Sequence, residues 1–309
     1  MGGLLMNRRL FVKTLGAGIA GTAVLGGIPA GLYAADDFVT LTVLHTNDIH
    51  AHIEPFTNSD ARINGKGGLA RISGMAQSLR EVNPNTLLFD AGDVFQGTPF
   101  FNYFGGKLLY KLMSEAGYDA GTIGNHEFDN GLKGILDALP EAKFPLINSN
   151  YDFSNTILAG KIPRWKIFRK SGVKIGVYGL GVELDGLVSK KSYEETIYLD
   201  PVKVAGEMET FLKKNRQCDL VICLSHLGHR YNSDKVSDIV IAGETRHTDL
   251  IIGGHTHTYL KEPLILKNKQ GLPVIVNSAW WGGLVLGRID FVFERQRRKI
   301  KNTNAQNIL

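Results

Sequence analysis

Cysteine is nearly absent: the 309 residues hold two, Cys218 and Cys223. They lie at the start and in the middle of one apolar run that reads as a buried strand. Residues five apart on a strand are roughly 16 Å from each other, well beyond the Cα separation of about 4.4–6.8 Å that a disulfide tolerates. A disulfide scaffold is excluded, and the pair reads as one core thiol and one edge thiol. There is no Pro/Ser-rich linker and no internal repeat, which speaks for one domain and against an array. Beyond residue 35, no apolar run approaches the ~20 residues that a membrane helix needs. Negative charge is missing at the beginning, where no Asp or Glu precedes Asp36. With Arg8, Arg9 and Lys13 set aside, the 35 Lys and Arg fall to 32 against 30 Asp and Glu, so the body carries about +2. No basic stripe of the kind that nucleic acid requires is visible. The cluster Arg295, Arg297, Arg298, Lys299 and Lys301 reads as a solvated hairpin tip.

What is present begins with a targeting signal. Arg8-Arg9-Leu10-Phe11-Val12-Lys13 precedes a weakly apolar stretch from Leu15 to Tyr33, followed by Ala34 and Ala35. A positive n-region, an apolar h-region and a small-residue cleavage site are the parts of an export signal. The Arg-Arg pair resembles a twin-arginine signal, a receptor-read address rather than an anchor. Residues 1–35 are expected to send the protein to the periplasm or outside the cell, with the membrane met only transiently during export. An uncleaved anchor is the alternative, disfavoured by Gly16, Gly18, Gly21, Gly26 and Gly27 within the stretch.

Short apolar runs recur through the body: Leu41–His45, Thr86–Asp90, Ala120–Ile123, Phe144–Asn148, Lys174–Leu180, Leu220–Leu224, Leu250–Ile252 and Val274–Asn277. Their length and Val/Ile/Leu content suit strands buried on both faces. Helix-like stretches alternate with them at Leu69–Val82, Gly105–Ala116, Leu132–Ala138, Val202–Asn215 and Lys235–Ala242. Asp200-Pro201 carries an N-cap and first-turn proline signature. The pattern predicts a layered α/β fold that ends in antiparallel strands over Lys261–Leu266, Pro273–Asn277, Leu284–Glu294 and Lys299–Leu309.

Polar clusters sit at the C-terminal ends of these strands, where open α/β sheets place their ligands. Asp48-Ile49-His50 follows the first, Gly92-Asp93 the second and Gly124-Asn125-His126-Glu127 the third. Ser225-His226 and Gly253-Gly254-His255-Thr256-His257 follow two later ones. Carboxylates, carbonyl oxygens and imidazoles on strand ends are what a divalent metal needs. One ion would use three or four of them, so the number of clusters suggests two ions sharing a bridging carboxylate. Asp93 is the best bridge, because the glycine before it lets the backbone approach closely.

The order D-x-H, GD, GNHE, H, GHTH resembles the calcineurin-like metallophosphoesterase superfamily. The longer strings Leu44-His45-Thr46-Asn47-Asp48-Ile49-His50, Gly124-Asn125-His126-Glu127-Phe128-Asp129 and Ser225-His226-Leu227-Gly228 look like the N-terminal catalytic domain of the 5′-nucleotidase family. That resemblance implies a four-layer α/β/β/α metallophosphoesterase sandwich over residues 36–309. It implies Asp48, His50 and His257 as ligands of one metal, Asn125, His226 and His255 of the other, and Asp93 as the bridge. It further implies His126 beside the scissile phosphate, oriented by Asp129, and in-line attack by water that two divalent ions (Mn, Zn, Fe, Co or Ni) activate. The implied substrate is a nucleotide or small phosphoester. The family's C-terminal substrate domain has no counterpart in residues 36–309, so a separate specificity subunit is a candidate partner. Alternatives on the same metal pair are UDP-sugar or cyclic-nucleotide phosphodiester cleavage, sulfur-ester hydrolysis, or a metal-binding partner subunit without catalysis.

Other residues read more plainly. His45 is expected in the core or behind the ligands, and His52, His229 and His247 at the surface. Glu127 is expected to be structural, and Asp90 to end its strand without meeting metal. Gly253-Gly254 reads as close backbone packing rather than a phosphate nest. Phe95, Phe100, Phe101, Tyr103 and Phe104, like Trp280 and Trp281, are either loop packing or pocket wall. Asn277 and Ser278 are candidates for hydrogen bonds to ligand histidines.

Overall fold

A computed structural model describes residues 37–57 and 60–309; the expected export signal, residues 1–35, lies outside the described residues. The strands form two large sheets. The first sets β1 (Phe38–Thr46), β2 (Thr86–Asp90) and β3 (Ala120–Gly121) in parallel, with β12 (Leu286–Glu294) and β13 (Lys299–Ile308) antiparallel beyond β1, in the order β13-β12-β1-β2-β3. A small ribbon pairs β4 (Tyr151–Asp152) with β7 (Ile197–Tyr198). The second large sheet, in the order β10-β11-β9-β8-β6-β5, contains β5 (Trp165–Lys170), β6 (Val173–Gly181), β8 (Leu220–His226), β9 (Leu250–Gly253), β10 (Leu264–Lys267) and β11 (Pro273–Ser278).

Strand alternation sorts the side chains into three apolar layers. Leu41, Val43, Leu87 and Phe89 of the first sheet meet Ile175, Val177, Ile222 and Ile252 of the second between the sheets. Leu44 and Leu88, one residue out of phase, face the helices α1 (Leu69–Val82), α3 (Gly106–Ala116) and α4 (Gly131–Ala138) through Ile72, Met113 and Ile135. Val221 and Cys223 face outward from the second sheet onto α6 (Pro201–Thr210) and α7 (Asp238–Glu244) through Val204, Met208 and Ile241. Two short helices, α2 (Pro99–Phe104) and α5 (Lys190–Tyr193), lie in connections. The result is the expected four-layer α/β/β/α sandwich.

Several local expectations shift. Phe144–Asn148 makes only an isolated bridge between Leu146 and Gly121, since Pro145 has no N–H to extend a ladder. The helix expected from Gly105 starts at Gly106, because Gly105 has a φ of 58° and separates it from α2. Val202–Asn215 divides into α6 and a π turn, Phe211–Asn215. β5 escapes the reading of apolar runs because it is an edge strand in which Lys166, Arg169 and Lys170 interrupt the apolar residues. The Asp200 cap is present, accepting N–H bonds from Val202 and Lys203. Both cysteines are free and buried, so Cys218 is a core thiol rather than an edge one.

Candidate metal centre

The C-terminal ends of β1, β2, β3, β8 and β9 bring the candidate ligands together: His50, Asp93, Asn125, His255 and His257 line one cleft of about 530 Å³, and Asp48 and His226 are fully buried against them. The loops after β1 and β2 stay paired beyond their strands. Asp48 N–H donates to Gly92 O at 2.9 Å, His50 N–H to Asp93 O at 3.0 Å and Ala51 N–H to Val94 O at 2.8 Å. The bends are sharp: Asp48, His50, Asp93, His255 and His257 all have positive φ, between 47° and 74°. For L-residues this left-handed region costs roughly 1–2 kcal/mol each, and such strain gathers at functional sites. Gly124 is required by a close approach, since a Cβ there would lie 2.2 Å from Asp93 Oδ1.

Two groups of donors result. Asp48, His50 and His257 form one, and Asp93, His226 and His255 the other, with the donor atoms of each group within 4.8 Å of one another. His226 Nδ1 donates to Ala91 O at 2.6 Å, so Nε2 is the nitrogen left to face Asp93 Oδ2 at 3.0 Å. His50 likewise donates from Nδ1 to Phe95 O at 3.2 Å and points Nε2 inward. Fixing one ring nitrogen on a carbonyl leaves the other as a ligand.

The site's electrostatics call for cations. Asp48 and Asp93 are buried at 0% and 1% exposure. Burial raises Asp48 well above the usual carboxylate range, against the pull of His226. Burial also acts on Asp93, but His226, then His50 and His126, hold its carboxyl below that range. Burial lowers His226, yet Asp93 and Asp48 override it and lift the ring to about 10. The carboxylates thus draw a positive charge into the site. Burial depresses His50 to about 4 and His255 to about 3, and it also lowers His257, which leaves these rings neutral as ligands must be. Asn125 is 7% exposed, and its Oδ1 is buried with no hydrogen-bond partner. An orphaned amide oxygen in the same cleft as the Asp93 carboxylate fits a hard cation. Together the two clusters make a dinuclear divalent-metal site.

His126 stands at the rim, its backbone N–H on Asp93 Oδ1 at 2.8 Å and its Nδ1 on Asp129 Oδ2 at 3.0 Å. The Asp129 bond raises its pKa despite partial burial. Glu127 is fully buried and accepts N–H bonds from Asp93, Val94, Phe95 and Gly124, tying the second and third loops together as a structural residue. Asp90 binds Thr46 Oγ1 and Gly92 N–H below the site.

Sequence reasoning missed some members. Asn47 donates to Asp48 Oδ2 at 2.6 Å and accepts Ala279 N–H at 2.7 Å, fastening a candidate ligand to the loop after β11. His52, expected at the surface, lines the cleft, stacked on Phe56 at 4.3 Å and edge-on to Trp281 at 5.4 Å. Trp281 lines it as well, parallel to His257 at 5.7 Å, whereas Trp280 packs on Tyr259. The spacing of His52, two residues after His50, was the available signal. Asn277 reaches no ligand histidine; its Nδ2 donates to the buried His45 at 2.8 Å, and Ser278 donates to Thr258 O. Phe95 and Phe101 are core, Tyr103 and Phe104 are exposed, and His229 and His247 are half-buried away from the cleft. Gly253 and Gly254 pack closely against Asp238 and His226.

Comparison with known proteins agrees with this geometry. The calcineurin-like phosphoesterase family profile matches residues 41–259. A snake venom 5′-nucleotidase from Gloydius brevicauda is 32% identical over 91% of this chain and 50% of its own length. The human 5′-nucleotidase is 30% identical over 94% of this chain and 53% of its own length. The crystal structure of a 5′-nucleotidase precursor from Thermus thermophilus superimposes with a TM-score of 0.78 at 31% identity, covering 88% of this chain and 54% of the other. The chain spans about half the length of the curated relatives it matches. The chain belongs to the calcineurin-like phosphoesterase family, and its domain is 5′-nucleotidase-like.

Proposed function

We propose that this chain hydrolyses phosphoric monoesters and that nucleoside monophosphates are among its substrates. The observation that carries the reading is the convergence of two donor clusters on one cleft, with the His126–Asp129 pair at its rim. In this reading Asp48, His50 and His257 hold one divalent cation, Asn125, His226 and His255 hold the other, and Asp93 serves both. Bound cations supply Lewis acidity, lowering the pKa of water and neutralising phosphate oxygens.

The side chains do the rest. Asn47 fixes the rotation of the Asp48 carboxylate. Ala91 and Phe95 carbonyls fix the tautomers of His226 and His50. Asp129 holds the Nδ1 proton of His126 and favours the protonated ring, whose Nε2–H is then free to meet charge developing on a phosphoryl oxygen or on the departing alkoxide. The wall of His52 and Trp281, with Phe56 stacked against His52, offers flat surface beside the reacting centre, which favours a leaving group with an aromatic base over a compact one.

Residues 1–35 are read as an export signal, so the activity belongs in the periplasm or outside the cell. No helix among the described residues is long and apolar enough to cross a membrane. The test is phosphate release from AMP with Mn²⁺, then with excess chelator. Turnover that chelator abolishes supports the reading; a protein that binds metal yet cleaves neither AMP nor a nitrophenyl ester overturns it.

A further inference from the structure

A group of exposed cations gathers at the end of the domain opposite the cleft. β1, β2, β6, β8 and β9 all point their C-termini at the site, so the turns that feed them lie at the far pole. Pairing places three hairpin turns there too: Phe38↔Glu294 for β12–β13, Lys170↔Val173 for β5–β6 and Lys267↔Pro273 for β10–β11. The pole is continuous across both sheets, because Ser171 Oγ donates to Asn85 Oδ1 at 2.6 Å.

From the first sheet, this pole exposes Arg295, Arg297, Arg298 and Lys299. From the second it exposes Arg169, Lys214, Arg216 and Arg246. The acids nearby are largely engaged inward. Asp119 binds Arg80, Asp219 accepts Lys174 N–H, and Asp249 accepts Val221 N–H. Glu294 serves Arg297 and Lys301, and Glu244 pairs with Lys269. Asp37 and Glu81 stand against the excess of positive charge. The sequence shows no basic stripe because these residues come from separate turns scattered between Arg169 and Lys299; the fold collects them. The hairpin tip is thus part of a larger surface.

Two aliphatic side chains protrude among the cations, Val82 at 76% exposure and Leu272 at 53%. Cations interleaved with protruding aliphatics suit a lipid headgroup layer. A nucleic-acid single strand would call for aromatic stacking platforms, and the indole that one of these cations meets, Trp165, is covered by Arg216 at 4.8 Å. We propose that this pole docks on a bilayer surface rich in anionic phospholipid headgroups, which turns the metal cleft toward the solution.

The test is co-sedimentation of the full chain with phosphatidylcholine vesicles and with vesicles containing about one-third phosphatidylglycerol. The anionic vesicles should bind it, and roughly 0.5 M salt should release it, since screening then acts within a few ångströms. The triple variant Arg295→Gln, Arg297→Gln, Arg298→Gln should bind on the order of 100-fold more weakly, with hydrolysis of a soluble ester unchanged. Arg8, Arg9 and Lys13 remain in both proteins, so the difference reports the pole. Unchanged binding of the variant overturns the proposal, as does equal binding to neutral vesicles. Stronger retention by duplex DNA than by anionic vesicles at equal salt also overturns it. Because vesicle binding is read without turnover, its failure is separable from failure of the hydrolase reading.

Discussion

His50 Nε2 and His257 Nε2 face each other across 2.9 Å, while His50 already gives its Nδ1 proton to the Phe95 carbonyl. With no metal bound, a neutral His257 can donate its Nε2–H to His50 Nε2, and a cation that both nitrogens ligate takes that proton's place. Burial keeps His50 at about 4, so near neutrality its ring is uncharged and Nε2 is open to a metal cation. Adding Mn²⁺ to about 100 times its Kd should stabilise the fold by about 2.7 kcal/mol, raising Tm by roughly 5–10 °C. Calorimetry with and without chelator checks this, and an unchanged Tm would argue against a preformed metal site.

Asp93 comes within 3.0 Å of His226 Nε2 and is the proposed shared ligand. Asp93→Ala should lose at least about 10³-fold in kcat and both equivalents of metal by elemental analysis. Full metal content with retained turnover would remove it from the bridge.

His126 touches neither cluster through its ring nitrogens. His126→Ala should therefore keep its metal while kcat falls about 10²–10⁴-fold. Asp129→Asn should fall less, by roughly ten-fold, since it acts through His126. Loss of metal from either variant would recast the pair as structural.

Trp281 and His52 form the flat side of the cleft. Trp281→Ala should raise the KM for AMP by about ten-fold, as one lost base stack would, and leave the KM for glycerol phosphate within about two-fold. Equal effects on both substrates would assign Trp281 to support of His257, on which it stacks.

His45 is fully buried and held at about 3 by that burial, against an ordinary value of 6.5. The unfolded chain takes up this proton near pH 6.5 and the folded one only near 3. The neutral ring's stabilisation is therefore present above 6.5 and lost as pH falls through that window. By pH 5 this amounts to about 2 kcal/mol. Urea unfolding at pH 7.5 and 5, in excess chelator, should show this slope in the native chain and a flatter one in His45→Gln, which keeps an acceptor for Asn277.

The donors were legible in the sequence because each follows directly on an apolar run, and a strand end both fixes and exposes what comes next. The two-sided burial of β1, β2, β8 and β9 was legible for the same reason. What escaped depends on contacts that no local pattern encodes. Asn277 meets His45 across the two sheets, 232 positions away. His52 enters the cleft because Phe56 and Trp281 flank it, and Phe56 sits against Gly67 and Gly282 where any Cβ would collide. The opposite pole escaped because its charge belongs to the assembled turns and to no single segment.

The donors are divided between the sheets: Asp48, His50, Asp93 and Asn125 leave the first, and His226, His255 and His257 leave the second. Cations held there act as a rivet through two leaves, resisting any sliding of one over the other. Discrimination among substrates must then fall to the side wall of His52 and Trp281, which lies outside the two donor groups. Evolution can reshape that wall residue by residue without loosening the rivet, so the cleft's taste in substrates can drift while its chemistry stays put.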